Sequence, residues 1–364
     1  MKHKNKGVIL IDNINDSSIK IVDPAKLKYN EKISEIVSKT NKDSIYSISH
    51  SQDFDGVASS AIIIKNFKIK KENLFFINYN ANDVESASRY LKGKISNGIV
   101  IVTDISMNDY LVSKFKKLIK IIKSSNSKII WLDHHPWSEY AIKELSPLFD
   151  FGIIGENSLY CAAEIAHIIF SKNSNGSSKN LAERAHVTDF NIKKSYKNEP
   201  NISFAINYFN FDRNRFMDNL RTIANEASKN NYNAAIIKKA ATNYNKEFDS
   251  NMNNVINNII LKDLKGHKIA FGFGRSFNST QICANISNSV KADLIVYLKT
   301  DAHTGTLRRN CDSINCSLIA NALDGGGHEF AAGFPIPKKY NINSKNGVNA
   351  MIKYFLKNAQ HVIN

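Results

Sequence analysis

The chain has 364 residues, which exceeds the usual size of one domain and allows two domains that each bury a core. Lysine and arginine outnumber aspartate and glutamate by 49 to 33, and this net charge of +16 weakly favours polyanionic partners. No stretch approaches the roughly 20 apolar residues of a membrane span, and the apolar run after the basic start is too short for a signal peptide, so we expect a cytoplasmic protein without a membrane partner.

The first half of the chain has the pattern of an α/β domain. An extension, 1–42, comes first, and we expect its helix-like segment PAKLKYNEKISEIVS to cap that domain, with docking to another protein as the alternative. From about 43 to 190, strand-like and helix-like segments alternate, which is typical of a doubly wound parallel sheet. The strand-like runs are SIYSIS, NLFFINYN, GIVIVTD, KIIWLD and FGII.

Potential metal ligands follow three of these strands. They are, in chain order, His50, Asp53 and Asp55, then Asp104, then Asp133, His134 and His135. Because open α/β sheets bind ligands at the carboxyl ends of their strands, we expect these side chains to share one site. Adjacent histidines also occur as ordinary polar residues, so the prediction of a metal centre depends on all three stretches together. Carboxylates and imidazoles without thiolates suit a hard cation, manganese first and magnesium as the alternative.

The second half has the pattern of a helical connector and a smaller domain. Residues 201–262 lack proline and strand alternation, which predicts helices. Residues 263–364 alternate strand-like runs with helix-like ones, which predicts a smaller α/β domain with a mixed sheet. The strand-like runs are GHKIAFGFG, ADLIVYLKT and FAAGFPI, and the helix-like ones are STQICANISNSV, INCSLIANALD and NAMIKYFLKNAQHVI.

The cysteines carry no recognisable motif. The four residues Cys161, Cys283, Cys311 and Cys316 show neither a CxxC spacing nor a second pair that would indicate zinc. The sequence therefore predicts reduced thiols.

Taken together, these motifs resemble the DHH phosphoesterase family, which includes RecJ-like exonucleases, oligoribonucleases and phosphatases of phosphorylated adenosine nucleotides. The family's first motif, a histidine before DxDG, is similar to His50 with the segment 53–56. Its second motif, a single aspartate that closes a strand, is similar to Asp104, and its third to the tripeptide 133–135. For the fourth, another aspartate, Asp189 is the prediction, and Asp150 and Asp212 are the alternatives.

The C-terminal half carries a second resemblance. GTLRRN and INCSLIANALDGGGHEFAAGF are similar to the DHH-associated domain of the first type, whose mark is a GGGH turn. That turn is formed here by Gly325, Gly326, Gly327 and His328. The resemblance implies a DHH catalytic domain over 1–200, the connector over 201–262 and a substrate-binding domain over 263–364. Either Arg308 or Arg309, together with the GGGH residues, would bind a substrate phosphate.

The resemblance also implies roles for the ligands. One cation would be held by His50, Asp53 and Asp104, and the other by Asp55, Asp104, His134 and Asp189, so that Asp104 bridges the pair. Asp133 would orient a neighbouring histidine, and His135 would contact the scissile phosphate.

The implied function is hydrolysis of phosphodiester bonds in short single-stranded RNA or DNA from one end, by hydroxide generated at two divalent cations. Three alternatives stay open at this point: a 3′-phosphoadenosine 5′-phosphate phosphatase, a cyclic-dinucleotide phosphodiesterase, and a replication-complex scaffold related to RecJ. The expected partners are oligonucleotides or small phosphorylated nucleotides. Replication or repair proteins and a second copy of the chain are further partners that the resemblance leaves open.

Overall fold

A computed structural model describes residues 7–13, 18–23, 26–156, 159–172, 176–190, 192, 201–211 and 215–363. Contacts between Cα atoms divide the chain into two compact units, Met1–Tyr244 and Asn245–Asn364. Within the described ranges, no helix has both the length and the apolar character that a membrane span requires.

The first unit is built on a seven-stranded sheet with the strand order β2-β1-β7-β6-β5-β3-β4. Strands β3 to β7 are parallel, while β1 runs antiparallel to both β7 and β2. The strands are β1 (Gly7–Asp12), β2 (Ser18–Val22), β3 (Ile45–His50), β4 (Leu74–Ile77), β5 (Ile99–Thr103), β6 (Lys128–Asp133) and β7 (Phe151–Glu156). The predicted doubly wound parallel sheet is confirmed, and the N-terminal extension adds an antiparallel hairpin to its edge.

Helices cover both faces of this sheet. They are α1 (Glu31–Lys39), α2 (Phe54–Phe67), α3 (Ala81–Leu91), α4 (Asp109–Ser124), α5 (Glu139–Leu145), α6 (Ala162–Phe170), α7 (Ser177–Asp189), α8 (Ile202–Phe211), α9 (Phe216–Ser228) and α10 (Ala235–Asn257). One core contains residues of α2, α6, α7, α8 and α9, and the other contains residues of α3, α4 and α5. Because α2 follows β3 and α4 follows β5 onto opposite faces, a crevice opens between the carboxyl ends of these two neighbouring strands.

The predicted connector divides differently in the structure. Ile206, Leu220 and Ile237, from α8, α9 and α10, are fully buried in the core of the first unit. Contacts therefore group most of the segment 201–262 with the first unit, and α10 continues across the division. Helix α7 begins at Ser177, and residues 173–175 lie outside the described ranges.

The second unit contains a six-stranded sheet with the order β12-β13-β11-β10-β9-β8. Its strands are β8 (Ile260–Leu264), β9 (His267–Gly274), β10 (Leu294–Lys299), β11 (Thr304–Arg309), β12 (Gly326–Gly327) and β13 (Ala331–Pro335), and its further helices are α11 (Ser279–Ser289), α12 (Cys316–Asn321) and α13 (Lys345–Ala359). Strands β9 and β10 are parallel and the other pairs are antiparallel, so the predicted mixed sheet is confirmed. Strand β8 begins inside the segment predicted as connector. The sequence does not predict it, because this edge strand exposes Lys262 and Asp263 and lacks an apolar alternation.

Candidate metal centre

The first group of polar residues lies where β3 passes into α2. Asp53 is the N-cap of α2, and its Oδ1 accepts a hydrogen bond from the Gly56 N–H at 3.2 Å. Its Oδ2 lies 2.9 Å from Nδ1 of His50, the last residue of β3. A Cβ atom at Gly56 would overlap the carbonyl oxygen of His50, so only glycine lets the helix begin this close to the strand. This turn places Asp53 and Asp55 in different surroundings although one residue separates them.

Asp55 lies in the first turn of α2 and is almost fully buried. Its two carboxylate oxygens accept hydrogen bonds of 2.8 Å from the N–H groups of Ala162 and Ala163. These residues begin α6, whose N-terminus favours negative charge. Each oxygen keeps a second lone pair, so the carboxylate is fixed in place and can still bind a cation.

Asp104 follows β5 directly and is 1% exposed. Its backbone has a φ of +57°, in the left-handed region, while its N–H still donates to the carbonyl of Leu132 at 3.0 Å. For a residue other than glycine this conformation costs roughly 1 kcal/mol or more, and aspartate tolerates it better than most. The strained backbone therefore holds a buried carboxylate at the carboxyl edge of the sheet.

Asp133, the last residue of β6, is fully buried and uses both oxygens. Oδ1 accepts hydrogen bonds from the His134 N–H at 2.9 Å and from Nδ1–H of His135 at 2.8 Å. Oδ2 accepts one from Nε1–H of Trp137 at 2.8 Å. At Gly155 of β7, a Cβ atom would overlap the carbonyl oxygen of His134, so this glycine admits the histidine backbone. Asp133 thus fixes the two histidines and has no oxygen free of hydrogen bonds.

The side chains meet in interlocking groups whose nitrogen and oxygen atoms lie within 4.8 Å of one another. The groups are His50, Asp53 and Asp104; Asp55, His134 and Asp189; and Asp104, His134 and His135. His134 lies at the middle, with its Nε2 3.5 Å from Asp104, 3.7 Å from Asp55 and 3.8 Å from Asp189. In the first group, Nδ1 of His50 lies 3.6 Å from Asp104. The structure therefore brings together every residue predicted as a metal ligand.

These residues fit divalent cations. Among the described residues, Nε2 of His50, Oδ2 of Asp104 and Nε2 of His134 are buried atoms without a hydrogen-bond partner, which is rare in a folded protein. Separations of 3.5 to 3.8 Å are too long for good hydrogen bonds. Ligand atoms that bind one cation at about 2.1 Å lie about 3.0 to 3.5 Å apart, close to this spacing. Small inward shifts of these side chains would complete a coordination shell.

Electrostatics point the same way. Burial lowers the pKa of His134, but the carboxylates of Asp104 and Asp55 outweigh it and raise the pKa to about 10. Burial, together with the charge of Asp104, raises the pKa of Asp55 well above its usual value. Without a cation, the cluster therefore retains protons to balance its carboxylates, and a divalent cation would replace them.

Asp189, the last residue of α7, supplies the fourth predicted motif. The alternative Asp150 lies elsewhere: its Oδ2 accepts from the Ile129 N–H at 2.7 Å and pairs with Lys123, at the amino end of β6. The other alternative, Asp212, lies outside the described residues. Only Asp189 of the two described candidates reaches His134.

Tyr79 is a site residue that the sequence prediction missed. Its ring stacks on the ring of His50, with the centroids 4.4 Å apart, and it meets His135 edge-on at 6.4 Å. Burial raises the pKa of its hydroxyl far above the usual value. Its position in the sequence could have indicated it, because Tyr79 comes just after strand β4, as the predicted ligands come just after the neighbouring strands.

The predicted substrate-binding residues lie in the second unit, and the two arginines among them differ in how firmly other groups hold their side chains. Arg309 is held by Asp312, Glu329 and the carbonyl of Ile314. Arg308 points to the opposite face of β11, where its Nη2 donates to the Thr280 hydroxyl at 3.2 Å. Of the two arginines, Arg308 has fewer ties to acidic groups.

The three glycines also differ. A Cβ atom at Gly325 would overlap the Gly333 carbonyl, and Gly327 has a φ of +141° with Ala332 packed against it. Gly326 has only a side-chain atom of Asn321 near it, at 3.9 Å. His328 is exposed and stacks on exposed Phe330. The glycine run is thus required sterically at its outer positions, while its middle position is open.

Strand register places another basic residue with these groups. Lys299 pairs with Thr304 and Arg308 with Ile295, so the two basic side chains lie on the same face of the sheet, the face that α11 covers. Burial lowers the pKa of Lys299. The sequence prediction missed Lys299, although the alternation within ADLIVYLKT gives its face.

No family model and no curated protein sequence matches this chain. Solved structures do match. RecJ from Thermus thermophilus in complex with Mn²⁺ is 11% identical, with 91% of this chain and 55% of the RecJ chain covered and a TM-score of 0.55. A pGpG-specific phosphodiesterase from Vibrio cholerae is 11% identical, with 86% and 99% covered and a TM-score of 0.47.

CDC45 from Entamoeba histolytica is 9% identical, with 89% of this chain and 97% of that chain covered and a TM-score of 0.41. At these identities the RecJ match shows the fold alone, and this chain spans about half of that RecJ. The fold that the DHH resemblance implied is confirmed as RecJ-like, and the subtype stays a prediction.

Proposed function

We propose that this chain is a metal-dependent phosphoesterase that hydrolyses phosphodiester bonds of short single-stranded RNA or DNA from one end. The observation that carries the proposal is the meeting of three groups of carboxylates and imidazoles, each of which contains Asp104 or His134. Both residues, like His50, have a buried ligand atom without a hydrogen-bond partner. The RecJ-like fold supports it, since the matching RecJ from Thermus thermophilus is in complex with Mn²⁺.

In this proposal, His50, Asp53 and Asp104 hold one cation, and Asp55, Asp104, His134 and Asp189 hold the other. Bound there, a divalent pair neutralises phosphate charge and lowers the pKa of water, with manganese favoured by the mixed ligands. No thiolate belongs to these groups.

His135 is proposed as the residue that contacts the scissile phosphate. Its ring is the most exposed of the three histidines, at 34% of the side chain. Because Nδ1–H donates to Asp133, the ring is fixed with Nε2 as its remaining polar atom. The Asp133 carboxylate raises the pKa of His135 against the effect of burial, so the ring can carry a proton and donate it to a phosphate oxygen. Asp133 acts only through this histidine, as a positioning residue.

In the second unit, Arg308, Lys299 and the open backbone at Gly326 are proposed to bind the terminal phosphate. A guanidinium matches two phosphate oxygens, and a glycine without close neighbours lets a ligand approach the N–H groups. The net charge of +16 adds a general attraction for a polyanion.

A substrate panel tests the proposal. Purified protein with Mn²⁺ or Mg²⁺ would receive dinucleotides, longer single-stranded RNA and DNA with either end phosphorylated, 3′-phosphoadenosine 5′-phosphate, and a cyclic dinucleotide. We expect stepwise release of mononucleotides from one end, which also gives the polarity. Preference for the adenosine bisphosphate or the cyclic dinucleotide would replace the proposal by one of those activities. A folded, metal-loaded protein without turnover on any substrate would overturn it in favour of a scaffold.

A further inference from the structure

Three potential ligands of different chemistry lie at one end of the second sheet. His267 begins β9, Asp293 immediately precedes β10, and Cys311 comes two residues after β11. Leu294 pairs with Ile269 of the parallel strand β9 and with Arg309 of the antiparallel strand β11. The register therefore sets the start of β9, the start of β10 and the end of β11 side by side.

We propose that His267, Asp293 and Cys311 form a zinc-type metal site in the second unit. Their ligand atoms, a ring nitrogen, a carboxylate oxygen and a sulfur, all lie within 4.8 Å of one another. This site is additional to the centre proposed for hydrolysis and does not depend on that function.

The backbone fixes the middle ligand. The Asp293 N–H donates to the Lys268 carbonyl at 2.8 Å, and its Oδ2 accepts from the Lys268 N–H at 2.8 Å. Its carbonyl accepts from the Asn310 N–H, also at 2.8 Å. Hydrogen bonds to both neighbouring strands thus hold Asp293 between the segments that carry His267 and Cys311.

The other two ligands remain available. Nδ1 of His267 lies 3.7 Å from Oδ2 of Asp293, which is too long for a hydrogen bond. The sulfur of Cys311 lies 3.3 Å from the Ser313 hydroxyl and 3.9 Å from the Asp293 carbonyl. All three residues are partly exposed, so an ion and a water ligand can reach them from solvent.

The ligand types select the ion. Imidazole, carboxylate and thiolate are all established zinc ligands, and thiolate disfavours magnesium and calcium. On binding, the thiol proton is released to solvent, and the thiolate and carboxylate together balance the two positive charges of Zn²⁺. Lys268 and Lys291 line the same groove as Asp293, and their positive charges repel a cation. The affinity for zinc must therefore come mainly from the bonds to sulfur and nitrogen.

Cobalt spectroscopy tests the site without any substrate. Co²⁺ bound by a thiolate gives a sulfur-to-metal charge-transfer band in the near ultraviolet, which carboxylates and imidazoles do not give. We expect this band on titration of the full chain with Co²⁺, and its loss on addition of Zn²⁺. Cys311→Ser should abolish the band, and His267→Gln should weaken Co²⁺ binding at least about tenfold, as loss of even a supporting residue does at metal sites.

The other cysteines supply matched controls, because Cys161, Cys283 and Cys316 are all buried. Cys283→Ser should leave the band unchanged, with folding checked by circular dichroism. Cys161 lies beside Asp55 of the first centre, so Cys161→Ser is tested in parallel. Absence of the band, its survival in Cys311→Ser, or its loss in Cys161→Ser alone would each overturn the proposal.

Protection from alkylation gives a second measurement. Cys311 is the one partly exposed cysteine of the four, so iodoacetamide should label it first, as read by mass spectrometry. Zn²⁺ should slow this labelling at least about tenfold in the parent protein, and Asp293→Asn should remove most of the protection. If Zn²⁺ slowed labelling in Asp293→Asn and in His267→Gln as much as in the parent protein, the thiol would bind zinc alone. The three-residue site would then be wrong.

Discussion

At the scale of single residues, Asp104 connects the ligand groups, because it belongs to the group of His50 and to that of His134. Asp104→Asn keeps the size of the side chain and a residue type that tolerates the left-handed backbone, but it removes the charge. We predict a loss of hydrolysis of at least about 100-fold, by analogy with the cost of disturbing metal sites. Turnover with saturating Mn²⁺ measures the loss of hydrolysis, and a thermal melt checks that the variant keeps its stability.

The matched control is Asp43→Asn, an exposed aspartate that pairs with Lys70. It should change neither measurement. Parent-level turnover of Asp104→Asn at saturating Mn²⁺ would show that Asp104 is not a shared ligand.

Trp137 offers a test of positioning. In Trp137→Phe, Oδ2 of the fully buried Asp133 loses its hydrogen-bond donor. Leaving a buried acceptor unsatisfied costs about 1 to 3 kcal/mol of unfolding free energy. We predict a lower melting temperature and a decrease in kcat of about tenfold or more through His135, with KM nearly unchanged. A variant that loses stability but keeps kcat would separate Asp133 from the reaction.

Proton release follows from the raised pKa of His134, about 10 in the cation-free cluster. The ring is therefore protonated at pH 6.5 to 8.5, and a cation must displace that proton. The apparent Kd for Mn²⁺ should fall about tenfold per pH unit for each proton released, so binding strengthens as pH rises. Calorimetry in buffers of different ionisation enthalpy counts the protons, and His134→Gln should release one fewer. A Kd independent of pH would contradict this account.

Residue types and strand ends were enough to predict that the ligands after β3, β5 and β6 share one site, because the carboxyl ends of parallel strands lie at one edge of a sheet. Asp189 ends a helix, and only the DHH resemblance predicted it. Tyr79 was missed because an aromatic residue carries no ligand signal. Arg309 is paired with Asp312 and Glu329 and Arg308 is not, and the sequence could not predict these ion pairs, because they depend on the fold.

At the scale of elements, the short strand β12 supports a direct comparison of glycines. Gly327→Ala places a methyl group at a φ of +141° and 2.6 Å from Cα of Ala332, so we predict destabilisation of about 1 to 3 kcal/mol. Gly326→Ala meets open space and should keep the melting temperature. If the backbone at this position binds the terminal phosphate, Gly326→Ala raises KM for a dinucleotide. An unchanged KM in the stable variant would remove the turn from substrate binding.

The helices and strands with clear apolar periodicity could be predicted from the sequence, and the strands at the edges of the two sheets could not. The hairpin of β1 and β2 has no clear sequence signal, because its apolar run is short and the exposed Ile19 and Ile21 hide the buried face. Strand β8 falls in the predicted connector for the same reason, since an edge strand with charged residues has no clean alternation.

At the scale of the whole molecule, the positive charge is a property of the surface rather than of one helix. The lysine-rich helix α4 is largely paired, with Lys114 to Glu85, Lys116 to Glu144 and Lys123 to Asp150. These lysines therefore behave as a solvated face, and a polyanion would respond to the total field.

Salt dependence tests that field. With the inactive Asp104→Asn protein, affinity for a longer single-stranded oligonucleotide should fall steeply with rising salt, because phosphate contacts release counterions. Affinity for a dinucleotide should fall much less, since it offers few phosphates. Fluorescence anisotropy at several salt concentrations gives both slopes. Equal slopes would favour a small nucleotide as the natural ligand.

The close approaches at Gly56 and Gly155 limit which residues the chain can carry beside the metal centre. A single added methyl group at either point would strike the carbonyl of a histidine that the centre needs, so these points admit almost no variation. Two residues without a side chain therefore decide whether the metal centre can assemble, although neither supplies a side chain that could bind a cation.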